Sequence, residues 1–133
     1  MDATIGHLQR NSQRDKGVDK CAHYVGNAIE AGGVRLNRGL NNSAKRYSAY
    51  GYGPILEDAG FIAMPEGTEL TDLQIGDVVV IQPIPKYHPH GHAAMYDGEH
   101  WRSDFNQGKE IYPSARYERV RPAYTIYRRS SGQ

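Results

Sequence analysis

The chain has 133 residues, with sixteen Lys and Arg against fifteen Asp and Glu and a formal net charge of +1. That length suits one domain with one core. The balanced charge gives no general argument for a nucleic-acid partner, although Arg116, Arg119, Arg121, Arg128 and Arg129 make the C-terminal third basic. A single cysteine excludes an internal disulfide, and no run approaches the roughly 18 apolar residues of a membrane span, so no membrane partner is expected.

Residues 1–17 are polar and weakly patterned, a lead-in with no apolar export segment. Val18 to Gly33 then reads as a helix. Asp19 can cap its start, and Cys21, Val25, Ala28 and Ile29 fall on one face. Gly32-Gly33 supplies the stop. After a polar loop over residues 35–42, Ser43 can cap a helix from about Ala44 to Ala49, and Gly51 to Gly53 breaks it. Pro54 to Ala59 should be a short helix with proline at its first position and Gly60 as its stop. Phe61 to Met64 should be extended before Pro65.

Beyond residue 73 the pattern becomes that of strands. Asp77-Val78-Val79-Val80-Ile81-Gln82 is a β-branched run entered from Gly76 and ended by Pro83. His92–Tyr96, Asp97-Gly98 and His100–Phe105 read as a hairpin. Ile111-Tyr112 is a candidate short strand, and Ala123–Tyr127 alternates as the last one. The expectation is a single α+β domain over residues 1–133, with a lead-in at 1–17, a helical half at 18–64 and a sheet half at 73–128. N-terminal helices pack on a C-terminal antiparallel sheet.

The chemistry-bearing residue types converge on Cys21. A thiol in the first turn of a helix lies near unpaired N–H groups and the positive end of the dipole, which favour thiolate. A nucleophilic cysteine also needs a base and a group that orients the base. His23 is about 200° round the helix from Cys21 and faces away. His7 lies in the lead-in, His100 at a hairpin tip, and His88 and His90 flank Pro89 in a loop. His92 follows Gly91 at the mouth of an apolar strand, where a sheet can hold an imidazole at a cleft. Its orienting partner should come from the next strand. A three-residue hairpin loop sets Asp104 opposite position 92 and a two-residue turn sets Ser103 there. The carboxylate is the better partner for a transient imidazolium.

The helix-start Cys21, the stretch Leu73-Gln74-Ile75-Gly76-Asp77-Val78-Val79-Val80 and the stretch Gly91-His92-Ala93-Ala94-Met95-Tyr96-Asp97-Gly98 together resemble the NlpC-type and CHAP-type cell-wall peptidases. The resemblance runs from Cys21 to about Phe105. It implies a papain-like α+β fold in which a Cys–His pair and a third polar residue cleave an amide of peptidoglycan, with no cofactor and no metal. By this resemblance Cys21 is the nucleophile, His92 the base and Asp104 the third residue. The Cys21 backbone N–H is one oxyanion donor and Gln13 a candidate second, and Tyr47, Tyr50 and Tyr52 are candidates to line the groove. Small size, the missing signal and the Trp101-Arg102-Ser103-Asp104-Phe105 strand look most like type VI secretion amidase effectors or phage-type wall hydrolases. A chain of that kind is made in the cytoplasm without a signal peptide and acts in the periplasm of a target bacterium. It meets an immunity protein in the producer's periplasm.

Two rival readings remain. The run His88-Pro89-His90-Gly91-His92 sets three imidazoles within five residues, and His-x-His spacing is common in metal sites, which gives a zinc hydrolase as one reading. A binding module with a merely buried Cys21 is the other.

Overall fold

The computed structural model describes residues 21–41, 48–65, 72–103 and 106–129. Helix α1 spans Cys21–Ala31, and short 3-10 turns follow at Arg38–Leu40 and Ala49–Gly51. Next come α2 (Gly53–Asp58), β1 (Phe61–Ala63), β2 (Val78–Ile81), β3 (His92–Tyr96), β4 (Trp101–Arg102), α3 (Ala115–Val120) and β5 (Tyr124–Arg129). The five strands form one sheet in the order β1-β5-β2-β3-β4, and every pairing is antiparallel. The expected α+β class and the helical face of α1 are both present. Val25, Ala28 and Ile29 are buried, and Gly33, at φ +96°, closes the helix. The expected Asp19 cap and most of the helix expected at 44–49 lie outside the described residues.

β2 is the middle strand, and all four of its residues are buried. Alternation sends Val78 and Val80 to one face and Val79 and Ile81 to the other, so an unbroken apolar run is the right sequence for a strand covered on both sides. On the first face Val78, Val80, Ala93 and Met95 pack with Cys21, Ala22, Val25, Ala28 and Ile29 of α1 and Ile55 and Leu56 of α2. On the second, Val79, Ile81, Ala94 and Ile126 pack with Trp101, Ile111, Tyr112 and Tyr117.

The second layer differs from the sequence reading. Ile111 and Tyr112 form no strand; they drop into the second core as irregular chain leading to α3. That helix escapes the periodicity argument because only Tyr117 of its six residues is buried. Its signals are local instead. The Ser114 side chain caps the Tyr117 N–H, and Arg121 ends the helix in the left-handed region at φ +50°. The hairpin also differs: Met95 pairs with Arg102 and Tyr96 with Trp101, so its loop is the four residues Asp97–His100 rather than two or three. Asp97 explains the length, since its carboxylate accepts from the Glu99 and His100 N–H groups and pairs with Arg102.

Asp77, from the Gly-Asp pair before β2, is 1% exposed and serves the frame. Arg128 donates to both its oxygens, Nε to Oδ1 at 3.0 Å and Nη2 to Oδ2 at 2.8 Å, and Oδ2 also accepts the Gln74 N–H at 2.9 Å. The same guanidinium reaches the Asp72 carbonyl, fastening the entry turn of β2 to β5. Removing one partner of such a pair strands the other charge. Arg128→Met should therefore cost about 3 kcal/mol of stability, read as a lower midpoint in urea denaturation. An unchanged midpoint would mean that the pair is solvated.

Candidate functional site

His92 stands at the start of β3 with its Cα opposite Ile81, 6% exposed. Gly91 brings the chain there at φ +68°, and a Cβ at that position would lie 2.4 Å from the Ile81 carbonyl oxygen and 3.0 Å from Tyr50 Cβ. Only glycine meets both demands. The close approach docks the segment 48–52 against the chain just before His92. Tyr50 N–H donates to the His90 carbonyl at 3.0 Å, and the Ser48 hydroxyl bonds His90 Nδ1 at 2.7 Å.

Gln107 orients the imidazole. Its Oε1 lies 2.6 Å from His92 Nε2, while its Nε2 donates to the carbonyls of Ile111 at 3.1 Å and Glu110 at 3.3 Å. Two carbonyl acceptors claim the amide nitrogen, so the oxygen faces His92 and the network assigns the proton to His92 Nε2. Nδ1 is then the basic nitrogen. The sequence argument sought this partner on the hairpin strand and named Asp104 or Ser103. The ladder instead stops at Arg102. The chain turns back so that Arg102 bridges Asn106, and Gln107 reaches His92 from the return loop. Asp104 lies outside the described residues; Ser103 is fully buried. A polar Asn106-Gln107-Gly108 turn was the available signal, and strand register alone could not place it.

Burial lowers the His92 pKa from 6.5 to about 4; the Gln107 hydrogen bond opposes the shift and the charge of His88 adds to it. The imidazole is therefore neutral through the physiological range. Tyr117 packs beside it, with ring centroids 6.1 Å apart, and the His88 ring centroid lies 4.7 Å from that of the same phenol.

Cys21 is the first residue of α1 and is 9% exposed, and the helix packs on β3. Thiol and imidazole thus belong to adjoining elements. Alternation along β3 gives Ala93 and Met95 to the α1 side and His92, with Ala94, to the other. Tyr52 lies 3% exposed in the Cys21 cluster. A Cβ on Gly26 of α1 would come 2.7 Å from its hydroxyl and 3.0 Å from Arg38 Nη2, so the missing side chain admits both groups. Burial raises the Tyr52 phenol above the usual tyrosine range; Arg38 opposes this, and Glu30 and Cys21 reinforce it. Tyr50 is half-buried at the docked segment. Tyr47 and Gln13 lie outside the described residues.

The three histidines of residues 88–92 go to separate partners: His88 to the Tyr117 ring, His90 to Ser48 and His92 to Gln107. Among the described residues no three His, Cys, Asp or Glu side chains gather as a metal site.

The arrangement is that of an α+β protein with a thiol at a helix start and an oriented, neutral imidazole on the strand that the helix covers. No protein-family model and no curated protein sequence matches the chain. Solved structures do. The type VI native effector–immunity complex Tae3–Tai3 from Ralstonia pickettii matches at 40% identity and TM-score 0.77, over 96% of this chain and 97% of that one. The selenomethionine form of the same complex matches at 41% identity and TM-score 0.76, over 94% and 98%. The chain belongs to the Tae3 family.

Two outcomes test the site. Gln107→Ala removes a bond to the charged form of His92, worth about 1.5–3 kcal/mol. Turnover of any reaction using His92 as base should fall about 10–100-fold, while Gln107→Glu keeps an acceptor and much of the rate. The second follows from the depressed pKa. The unfolded chain binds a proton at His92 near pH 6.5 and the folded chain only near pH 4. The stabilisation is therefore complete above pH 6.5 and is lost as the pH falls towards 4. Urea midpoints should drop across that window in the native protein and less in His92→Gln. Parallel curves would contradict the buried, neutral imidazole.

Proposed function

We propose that this chain is a cysteine-dependent peptidoglycan amidase of papain-like arrangement, a single catalytic domain delivered by type VI secretion into the periplasm of a target bacterium. The observation that carries the chemistry is the buried His92, with its proton held on Nε2 by Gln107, on the strand covered by the helix that opens with Cys21. Tae3 family membership and the likeness of the Cys21, Gly76-Asp77 and Gly91-His92 segments to wall peptidases support the substrate. In this reading thiol and base, on opposite faces of β3, meet over the end of the strand beyond Gly91, and the substrate lies across that end.

In this reading His92 Nδ1 takes the Cys21 proton as sulfur attacks the amide carbonyl. The Cys21 backbone N–H, at the positive end of α1, stabilises the oxyanion. His92 then protonates the leaving amine, and a water activated by the same nitrogen hydrolyses the thioester. Gln107 holds the ring through both transfers, in the role that the sequence reading gave to Asp104. Tyr50, at the docked segment beside His92, lines the groove. The buried Tyr52 touches α1 and supports the thiol turn rather than offering a face to substrate. An immunity protein that covers this cleft in the producer's periplasm completes the reading.

Purified sacculi digested with native protein should release muropeptides with one newly cut amide, identified by mass spectrometry. Cys21→Ala should release none, and His92→Ala about 10²–10⁴-fold less. Full release by either folded variant would overturn the cysteine mechanism. In a Gram-negative host, lysis should require both an added periplasmic signal and an intact Cys21; equal toxicity from a cytoplasmic form would overturn the wall as target.

A further inference from the structure

A run of rings leads outward from the imidazole. His92 packs by Tyr117 and Tyr117 by His88. The neighbours of those last two residues, Arg116 and Tyr87, meet one position further out, where the Arg116 guanidinium carbon stands 3.6 Å over the centre of the Tyr87 ring. Tyr87 is 58% exposed, an unusual place for a large aromatic side chain. It is held out by a tight turn in which Ile84 bridges His88 and Lys86 takes φ +75°, a conformation that a lysine adopts at a cost. Ring and guanidinium thus form one stacked, partly exposed pair, each next in sequence to a residue of the ring run that reaches His92.

Among the described residues Arg116 makes no ion pair, whereas Arg38, Arg102, Arg121 and Arg128 each hold a carboxylate. On α3 itself, Glu118 is taken by Arg121. Stacking uses the flat face of a guanidinium and leaves its N–H donors in the ring plane, where their spacing matches the two oxygens of a carboxylate.

We propose that Arg116, braced on Tyr87, is a specificity subsite that binds a free carboxylate of the wall peptide close to the scissile amide, and so discriminates against stems in which that carboxylate is amidated. The inference rests on the amidase reading for its substrate class. The site's own geometry supplies the sign and shape of the ligand. Lysine at 116 keeps the charge but not the fork, and glutamine keeps length and polarity without charge.

The test is a substrate–variant cycle with two synthetic stem peptides that differ only in one carboxylate, free or amidated. Native protein should favour the free acid about tenfold or more in kcat/KM. Arg116→Gln should abolish that preference by lowering the rate on the free acid alone, and Arg116→Lys should fall between. An equal loss on both peptides, or no loss on either, overturns the subsite. Binding to Cys21→Ala protein, measured calorimetrically with the same peptides, separates this proposal from the amidase reading. Preferential binding of the free acid that disappears in Cys21→Ala/Arg116→Gln supports the subsite even if the native protein cuts neither peptide. Equal affinities for both peptides overturn it even if cleavage is observed.

Discussion

The burial of β2 on both faces is the constraint from which the rest of the molecule follows. A strand of Val78-Val79-Val80-Ile81 has no solvated side, so the chain must supply two covering layers. Residues before the sheet provide one, through α1 and α2; residues after the hairpin provide the other, through Ile111, Tyr112 and Tyr117. β3 pairs with β2 in a register that sets His92 opposite Ile81. The imidazole therefore inherits its position from the best-packed strand of the sheet. It is buried there against Tyr117 and hydrogen-bonded to Gln107.

The periodic part of this plan was legible in the residues. The α1 face, the proline-led α2, the apolar β2 and the strand after Gly91 each carry a repeat of 3.6 or 2, or a strong local signal, and each is present. What could not be read was the return path after the hairpin. Register arguments extrapolate a straight ladder, but Asp97 shapes a four-residue loop and the ladder ends after Arg102. From there tertiary contacts decide, and Gln107 reaches His92 by way of the Glu110 and Ile111 carbonyls. α3 was hidden for a related reason. A short helix with one buried residue has no stripe, so capping by Ser114 is its main trace. Asp77 was legible as a motif, yet its work is mechanical, fastening β2 to β5 through Arg128.

The electrostatics of His92 bear on how a thiol could be used here. Its pKa near 4 means that the resting protein holds no stable imidazolium to pair with a thiolate. In the proposed mechanism, proton transfer from sulfur coincides with attack on the carbonyl, when negative charge moves onto the oxyanion. Gln107 suits this timing. A neutral amide oxygen accepts from Nε2–H in both protonation states and strengthens that bond when the ring becomes charged, without adding a second buried charge to the resting site. A carboxylate in the same place would raise the imidazole pKa and favour the ion pair before substrate arrives. Among the described residues it is therefore an amide, that of Gln107, that orients the imidazole.

The same reasoning links the imidazole to the outer rings. Tyr117 packs against both His92 and His88, and the interaction with His88 lowers the His92 pKa further, after burial. Arg116, next to Tyr117 in sequence and stacked on Tyr87, would add a fixed positive charge to the proposed subsite, and a positive subsite attracts anionic peptide. If the proposed subsite holds a carboxylate, that charge would favour protonated His92 through Coulomb's law, with burial remaining the larger influence on the imidazole.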